Sequence, residues 1–176
     1  ATAIELAQAG ATCILLARNE VRLKEAISQL NASSGQEHGF IMADFKDPLS
    51  VQAAITPLTT AGPIHILINN TGGPEAGPIE AAQAAAFTAA FEQHLICNHL
   101  LAQAVIPGMK AAGYGRIINI ISTSVKAPIK NLGVSNTARW AVAAWSKTLA
   151  GELAPFGITV NNVLPGSTIT GRLKAV

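Results

Sequence analysis

Thr12-Cys-Ile-Leu-Leu-Ala17, then Glu20-Val-Arg-Leu-Lys-Glu-Ala-Ile-Ser-Gln-Leu30, then Gly39-Phe-Ile-Met-Ala43: these three runs decide the fold. The first is apolar without a break, the mark of a strand covered on both faces. In the second, Val21, Leu23, Ala26, Ile27 and Leu30 share one side of a helix, with Arg22, Lys24 and Glu25 elsewhere. The third is another short apolar strand. A strand, a helix of ten or more residues and a second strand make a βαβ unit, whose strands must run parallel.

The alternation extends in both directions. Upstream, residues 1–8 read as a helix stopped by Gly10. Downstream, residues 48–60 read as a helix with Asp47 as N-cap and Pro48 at its first position. Residues 64–68 form a third strand, followed by a Gly/Pro-rich loop at 71–78. Residues 84–112 carry one long helix, in which Pro107 predicts a bend or break. Residues 116–121 form a fourth strand, 136–154 a helix, and 158–164 a fifth strand ended by Pro165-Gly166. The order predicts one doubly wound α/β domain over 1–176, a parallel sheet with helices on both faces in three layers. No repeat or low-complexity linker interrupts it.

Composition narrows the function classes. Hydrophobic residues make up 49% and charged residues 12%, which suits a large buried core and excludes a disordered chain. A net charge of +2 without a basic run gives no signal for nucleic acid or an anionic membrane surface. The longest apolar stretches, such as Ile117-Ile-Asn-Ile-Ile121, are far too short to span a bilayer, so no membrane role is expected. Cys13 and Cys97 lack metal-ligand spacing, so neither a metal site nor a disulfide framework is expected, and a reducing cytoplasm is the inferred compartment.

Four stretches together carry a family resemblance. They are Leu67-Ile-Asn-Asn-Thr-Gly-Gly73, Gly115-Arg-Ile-Ile-Asn-Ile-Ile-Ser122, Leu149-Ala-Gly-Glu-Leu-Ala-Pro-Phe-Gly-Ile-Thr-Val-Asn161 and Val163-Leu-Pro-Gly166. In order and spacing the chain resembles the short-chain dehydrogenase/reductase family, nearest its 3-oxoacyl-carrier-protein reductases, and the resemblance implies a Rossmann-type fold. It also implies a first strand with a Gly-rich turn before Ala1, and a closing substrate loop and last strand after Val176. These are expected to belong to a longer chain.

The resemblance implies a nucleotide cofactor held at the carboxyl ends of the strands. Arg18, at the end of the second family strand, would face a 2′-phosphate and favours NADP(H) over NAD(H); a plain exposed arginine is the competing reading. Asp44, in Met42-Ala-Asp44, matches the family's aspartate beside the adenine, or else caps a turn. Asn70 and Gly72 match the Asn-Asn-Ala-Gly motif, with Thr71 in place of the usual alanine. Pro165, Gly166 and Thr170 match contacts to the nicotinamide carboxamide and phosphate.

On the catalytic side the resemblance shows substitutions. Ser122 matches the serine that polarises the carbonyl, thirteen residues before the position of the family's tyrosine, which is Ser135 here. The lysine four residues on is Arg139, and the asparagine of the family's proton relay is His94. Positions i and i+4 share a helix face, so Ser135 and Arg139 would point together. A serine hydroxyl is a much poorer acid than a phenol of pKa about 10, and arginine, with a pKa above ~12, cannot pass protons. Histidine can, and Arg139 can still hold ribose hydroxyls as a cofactor ligand. Two functions follow: an oxidoreductase acting on a small-molecule carbonyl or secondary alcohol with an unconventional proton source, or a weak or inactive relative that binds a nucleotide as sensor or scaffold. The Ala-rich long helices, with Trp140 and Trp145, match those that build the family's homodimers and homotetramers.

Overall fold

The structure is a computed structural model that describes residues 1–167. Its contacts gather into two compact units, residues 1–45 and the chain from Lys46 onward. In the first, α1 (Thr2–Gln8) precedes β1 (Ile14–Ala17), α2 (Glu20–Ile27) and β2 (Gly39–Met42). β1 and β2 pair in parallel, Ile14 opposite Gly39 and Ala17 opposite Met42, as the βαβ reading requires. The core of this unit is Ala7, Cys13, Leu23 and Ala43.

Side chains set the edges of these elements. Asn19 caps α2 by accepting from the Arg22 amide. The helix ends at Ile27, short of the expected Leu30, because the Ser28 hydroxyl takes the Glu25 carbonyl and Gln29 and Leu30 tighten to i−3 bonds. β1 starts at Ile14 because the Cys13 amide donates to His38 Nδ1 at 3.1 Å.

In the second unit Asp47 caps α3 (Pro48–Ala61) by accepting from the Leu49 amide, and Pro48 stands in its first turn. β3 (Ile66–Asn69), β4 (Gly115–Ile120) and β5 (Ile158–Val163) form a parallel sheet in that order. Between them lie α4 (Ala84–Phe91), a π-helical turn (Glu92–Ile96), α5 (Cys97–Ala112) and α6 (Gly133–Leu153). α5 packs on α3, β3 and β4, and α6 on β5. The core is built from Val51, Ile55, Leu101, Val105, Met109, Ile117, Val142 and Ile158.

Three expectations are corrected here. The long helix does not break at Pro107; α5 runs through it, and regular α geometry is lost at Glu92–Ile96 instead. Pro107 deprives the Gln103 carbonyl of its donor, but both residues lie on the exposed side, where that carbonyl is open to solvent. Second, α6 starts at Gly133, not at Asn136. The Asn136 side chain is occupied with the main chain of Ile129, and a Cβ at Gly133 would lie 2.4 Å from Ile79 Cβ, so glycine opens the helix there. Third, the strands are not covered on both faces throughout. β1 is half-buried along its length and β5 alternates between buried and exposed residues, while β4, between two neighbours, is the best covered. Among the described residues the strands bond as two sheets, β1-β2 and β3-β4-β5.

Candidate functional site

The carboxyl ends of β3, β4 and β5 are joined by asparagines. Asn69 Nδ2 donates to Asn119 Oδ1 at 2.9 Å, and Asn119 Nδ2 to Asn162 Oδ1 at 3.1 Å. Asn162 in turn exchanges hydrogen bonds with the Ser146 hydroxyl of α6. These residues are in register, Asn69 opposite Asn119 and Asn119 opposite Asn162, so their side chains share one side of the sheet. Asn119 is fully buried and Asn69 nearly so.

Directly after this row, the loops that leave the strands are tied together. The Ile121 amide donates to the Val163 carbonyl and the Thr123 amide to the Pro165 carbonyl. Ser122 caps the short 3-10 turn Thr123–Val125, its Oγ accepting from the Ser124 amide at 3.0 Å. Ser122 is half-buried, and its own hydroxyl proton is left to donate.

α6 brings two more of the predicted residues to this end. Arg139 is 8% exposed, and its guanidinium donates to the Ile120 carbonyl at 3.0 Å and to the Thr71 carbonyl at 3.4 Å. It therefore bridges the main chain leaving β3 and β4. Ser135, one turn earlier, is half-buried, and its hydroxyl makes no hydrogen bond among the described residues.

His94 sits in the π-helical turn with no exposed surface. Its Nδ1 is hydrogen-bonded to the Thr71 hydroxyl. The preceding residue, Gln93, donates through Nε2 to the Gly72 carbonyl at 3.0 Å. Thr71 is thus the meeting point of His94 and Arg139. Asn70 and Gly72 on either side are exposed, and a Cβ placed on Gly72 would meet nothing within 4 Å. That edge of the turn faces open space.

Four of the predicted positions, Arg139, His94, Asn70 and Gly72, are gathered around Thr71; Ser122 and Ser135 lie at the same strand ends without a bond to them. Pro165 contributes its carbonyl to the loop tie, Gly166 is exposed, and Thr170 lies outside the described residues. A depression of about 490 Å³ lined by Ile79, Ile129, Lys130 and Trp140 includes none of the four predicted catalytic residues. It lies against the helix face of Gly133, Asn136, Thr137 and Trp140, which is turned away from Ser135 and Arg139. Trp145 donates its indole N–H to His99 within the chain, and Trp140 is 48% exposed.

In the first unit Arg18 is exposed just past β1. A depression of about 380 Å³ there is lined by Ala17, Arg18, Asn19, Arg22, Leu23 and Ala26. Arg22, in the first turn of α2, therefore stands with Arg18, which precedes the helix; sequence reading missed this pairing. Asp44 follows β2 and is half-buried. Gln93 and the Asn119–Asn162 pair were also missed, since their partners are distant in sequence.

Among the described residues there is no group of three or more His, Cys, Asp or Glu fit to hold a metal, and no helix is long and apolar enough to cross a membrane.

Residues 1–176 match the family model described as short chain dehydrogenase. The chain belongs to the short-chain dehydrogenase family. Trans-4-hydroxycyclohexanecarboxylate dehydrogenase of Sinomonas cyclohexanicum is 36% identical over 171 residues, covering 94% of this chain and 66% of that protein. The structure of L-sorbose reductase from Gluconobacter frateurii complexed with NADPH and L-sorbose superposes with a TM-score of 0.90 at 30% identity, over 97% of this chain and 65% of that one. A gluconate 5-dehydrogenase from Burkholderia cenocepacia in complex with NADP and tartrate gives a TM-score of 0.85 at 29% identity, over 98% and 67%. The family chain described here thus spans about two thirds of the length of these relatives, and its Rossmann-type fold is theirs.

Proposed function

We propose that the protein is an NAD(P)(H)-dependent oxidoreductase acting on a small-molecule carbonyl or secondary alcohol. The observation that carries this is the turn Asn70-Thr71-Gly72, held by side chains from two helical segments while its Gly72 edge faces open space. A nucleotide needs such an edge: close approach of its sugar and phosphates leaves no room for a Cβ.

NADP(H) is the favoured form. Arg18 and Arg22 line one depression, and a 2′-phosphate is a natural partner for two guanidinium groups. The NADPH and NADP complexes of the sorbose reductase and the gluconate dehydrogenase agree with this. Asp44, Asn70, Gly72, Pro165, Gly166 and Thr170 are assigned the family's remaining cofactor contacts, and Arg139 the charge behind the ribose.

When bound, the cofactor supplies or accepts the hydride. The chain's own residues then act on the carbonyl oxygen. Ser122, whose hydroxyl proton is unassigned within the turn, polarises it. Ser135 takes the tyrosine position but is a far weaker acid, and general acid catalysis typically contributes ~10²–10⁴-fold, so turnover is slowed by that order. Arg139 provides fixed positive charge. His94, which has no exposed surface, reaches the site through the Thr71 hydroxyl.

One observation favours a second reading, a nucleotide-binding relative with little turnover: the Arg139 guanidinium is engaged with two main-chain carbonyls. Steady-state assays with NADPH and NADH over a panel of ketones separate the two. The double change Ser135→Tyr with Arg139→Lys is expected to raise turnover ~10²-fold or more. Measurable native turnover with no gain would refute the assignment of those positions. A cytoplasmic location and a homodimer or homotetramer built on α4, α5 and α6 complete the proposal; light scattering tests the assembly.

A further inference from the structure

Three of the positions at which this chain departs from its family's pattern meet at one residue: His94 and Arg139 both bond to Thr71. From this we infer that Thr71 is a positioning residue: together with Arg139, His94 and Gln93 it forms a clamp that presets the turn Asn70-Thr71-Gly72 for a nucleotide.

The clamp has three bonds on two consecutive residues. The Thr71 carbonyl accepts from Arg139 of α6, the Thr71 hydroxyl pairs with His94, and the Gly72 carbonyl accepts from Gln93. His94 and Gln93 are neighbours in the π-helical turn, and widened turns of this kind are frequent at functional sites because they re-aim side chains. An alanine at 71 would leave the His94 ring without this contact, so the threonine hydroxyl and the imidazole act as a matched pair. Arg139 makes its shorter bond, 3.0 Å, to the Ile120 carbonyl and a longer one, 3.4 Å, to the Thr71 carbonyl, so it ties the two strand ends together. In this chain the positions that resemble a proton relay therefore brace the backbone. The cost of ordering the turn is met during folding rather than on binding, which raises affinity.

This inference rests on the cofactor reading above, and the test separates the two. In nucleotide-free protein, amide hydrogen exchange at residues 70–73 and the His94 imidazole ¹⁵N shifts are compared among wild type, Thr71→Val, Thr71→Ser and Gln93→Leu. NADPH affinity is then measured by calorimetry for each. Thr71→Val is expected to speed exchange, shift the His94 Nδ1 signal and weaken NADPH about 3–10-fold, the worth of one hydrogen bond. Thr71→Ser should restore all three, and Gln93→Leu should speed exchange and weaken NADPH without moving the His94 signal. If Thr71→Val does not fold, Gln93→Leu, at a more open position, carries the test. Weaker affinity with unchanged exchange in the free protein would mean direct contact only and overturns the clamp, as does faster exchange with unchanged affinity. Absence of NADPH and NADH binding by the wild type overturns the cofactor reading and, with it, the nucleotide role of the turn; binding that Thr71→Val leaves intact overturns the clamp alone.

Discussion

Replacing Asn119 with alanine should cost the second unit more than its single side chain suggests. Asn119 is fully buried at the middle of the row across the sheet, between Asn69 at 2.9 Å and Asn162 at 3.1 Å. Asn162 would keep its Ser146 partner, so that side loses about one net hydrogen bond, ~0.5–1.5 kcal/mol. Asn69 fares worse. It is 4% exposed and its Oδ1 already has no partner, so removal of Asn119 strands the whole amide at about 1–3 kcal/mol. The sum is about 1.5–4.5 kcal/mol, and for a chain of this size each kcal/mol is worth ~2–4 °C in Tm. A fall of roughly 3–18 °C is therefore expected. Tryptophan fluorescence is the right probe, because Trp140 and Trp145 both lie on α6 of this unit and report its unfolding alone. The double change Asn69→Ala with Asn119→Ala removes the stranded group, so it should cost less than the sum of the single changes by about 1 kcal/mol or more. A Tm within 2 °C of wild type for Asn119→Ala, or strictly additive single costs, would refute the argument that the row acts as one network.

Other expectations follow from single contacts. Asp47→Ala removes the cap on α3 and should lower stability by about 0.5–2 kcal/mol in urea unfolding, with Asp47→Asn nearly neutral. Gly157 has φ 71° and a Cβ there would lie 2.4 Å from the Gly113 carbonyl oxygen, so Gly157→Ala should cost at least ~2 kcal/mol. Under the proposed cofactor assignment, Arg18→Glu should shift the NADPH-to-NADH preference in kcat/KM by ~10-fold or more toward NADH. Burial pushes the Cys13 thiol above its ordinary value. Folding thus favours the protonated form: the contribution is fully present below the thiol's unfolded value and is lost as pH rises from there through its raised folded value. Alkylation of Cys13 by iodoacetamide should be slower in native than in urea-unfolded protein across pH 7–9.

Much of the architecture was legible because it depends on local signals. Asp47-Pro48 reads as a helix start in any context, and Gly113, with φ 61°, closes α5 as a helix-ending glycine does. The five parallel strands were legible from apolar runs, though their true coverage was not, since burial depends on which neighbours a strand finds. The start of α6 lies three residues before the expected Asn136, whose side chain reaches back to Ile129, because Gly133 fits against Ile79. The helix interruption was assigned to Pro107 on local chemistry, while the real one is set by what Gln93 and His94 contact in the turn after β3. The site shows the same division. Ser122, Ser135, Arg139 and His94 could be picked out by resemblance, but Thr71 looked like a mild replacement until the structure showed its two partners, 23 and 68 residues away. Asn119 carried no signal of its own, as its partners are 50 and 43 residues distant.

The widened turn at Glu92–Ile96 has one more consequence. Its i→i+5 bonds spread one extra residue into the spiral, so the apolar stripe downstream starts on a different bearing from the stripe upstream. Ala90 of α4 packs with Val134 and Ala138 of α6, whereas α5 rests on α3 and β4. The continuous helical segment from α4 through α5 thereby serves two sets of neighbours without a connecting loop between them. Deleting one residue from this stretch would restore the ordinary helical phase and turn one half by about 100° away from its present partners.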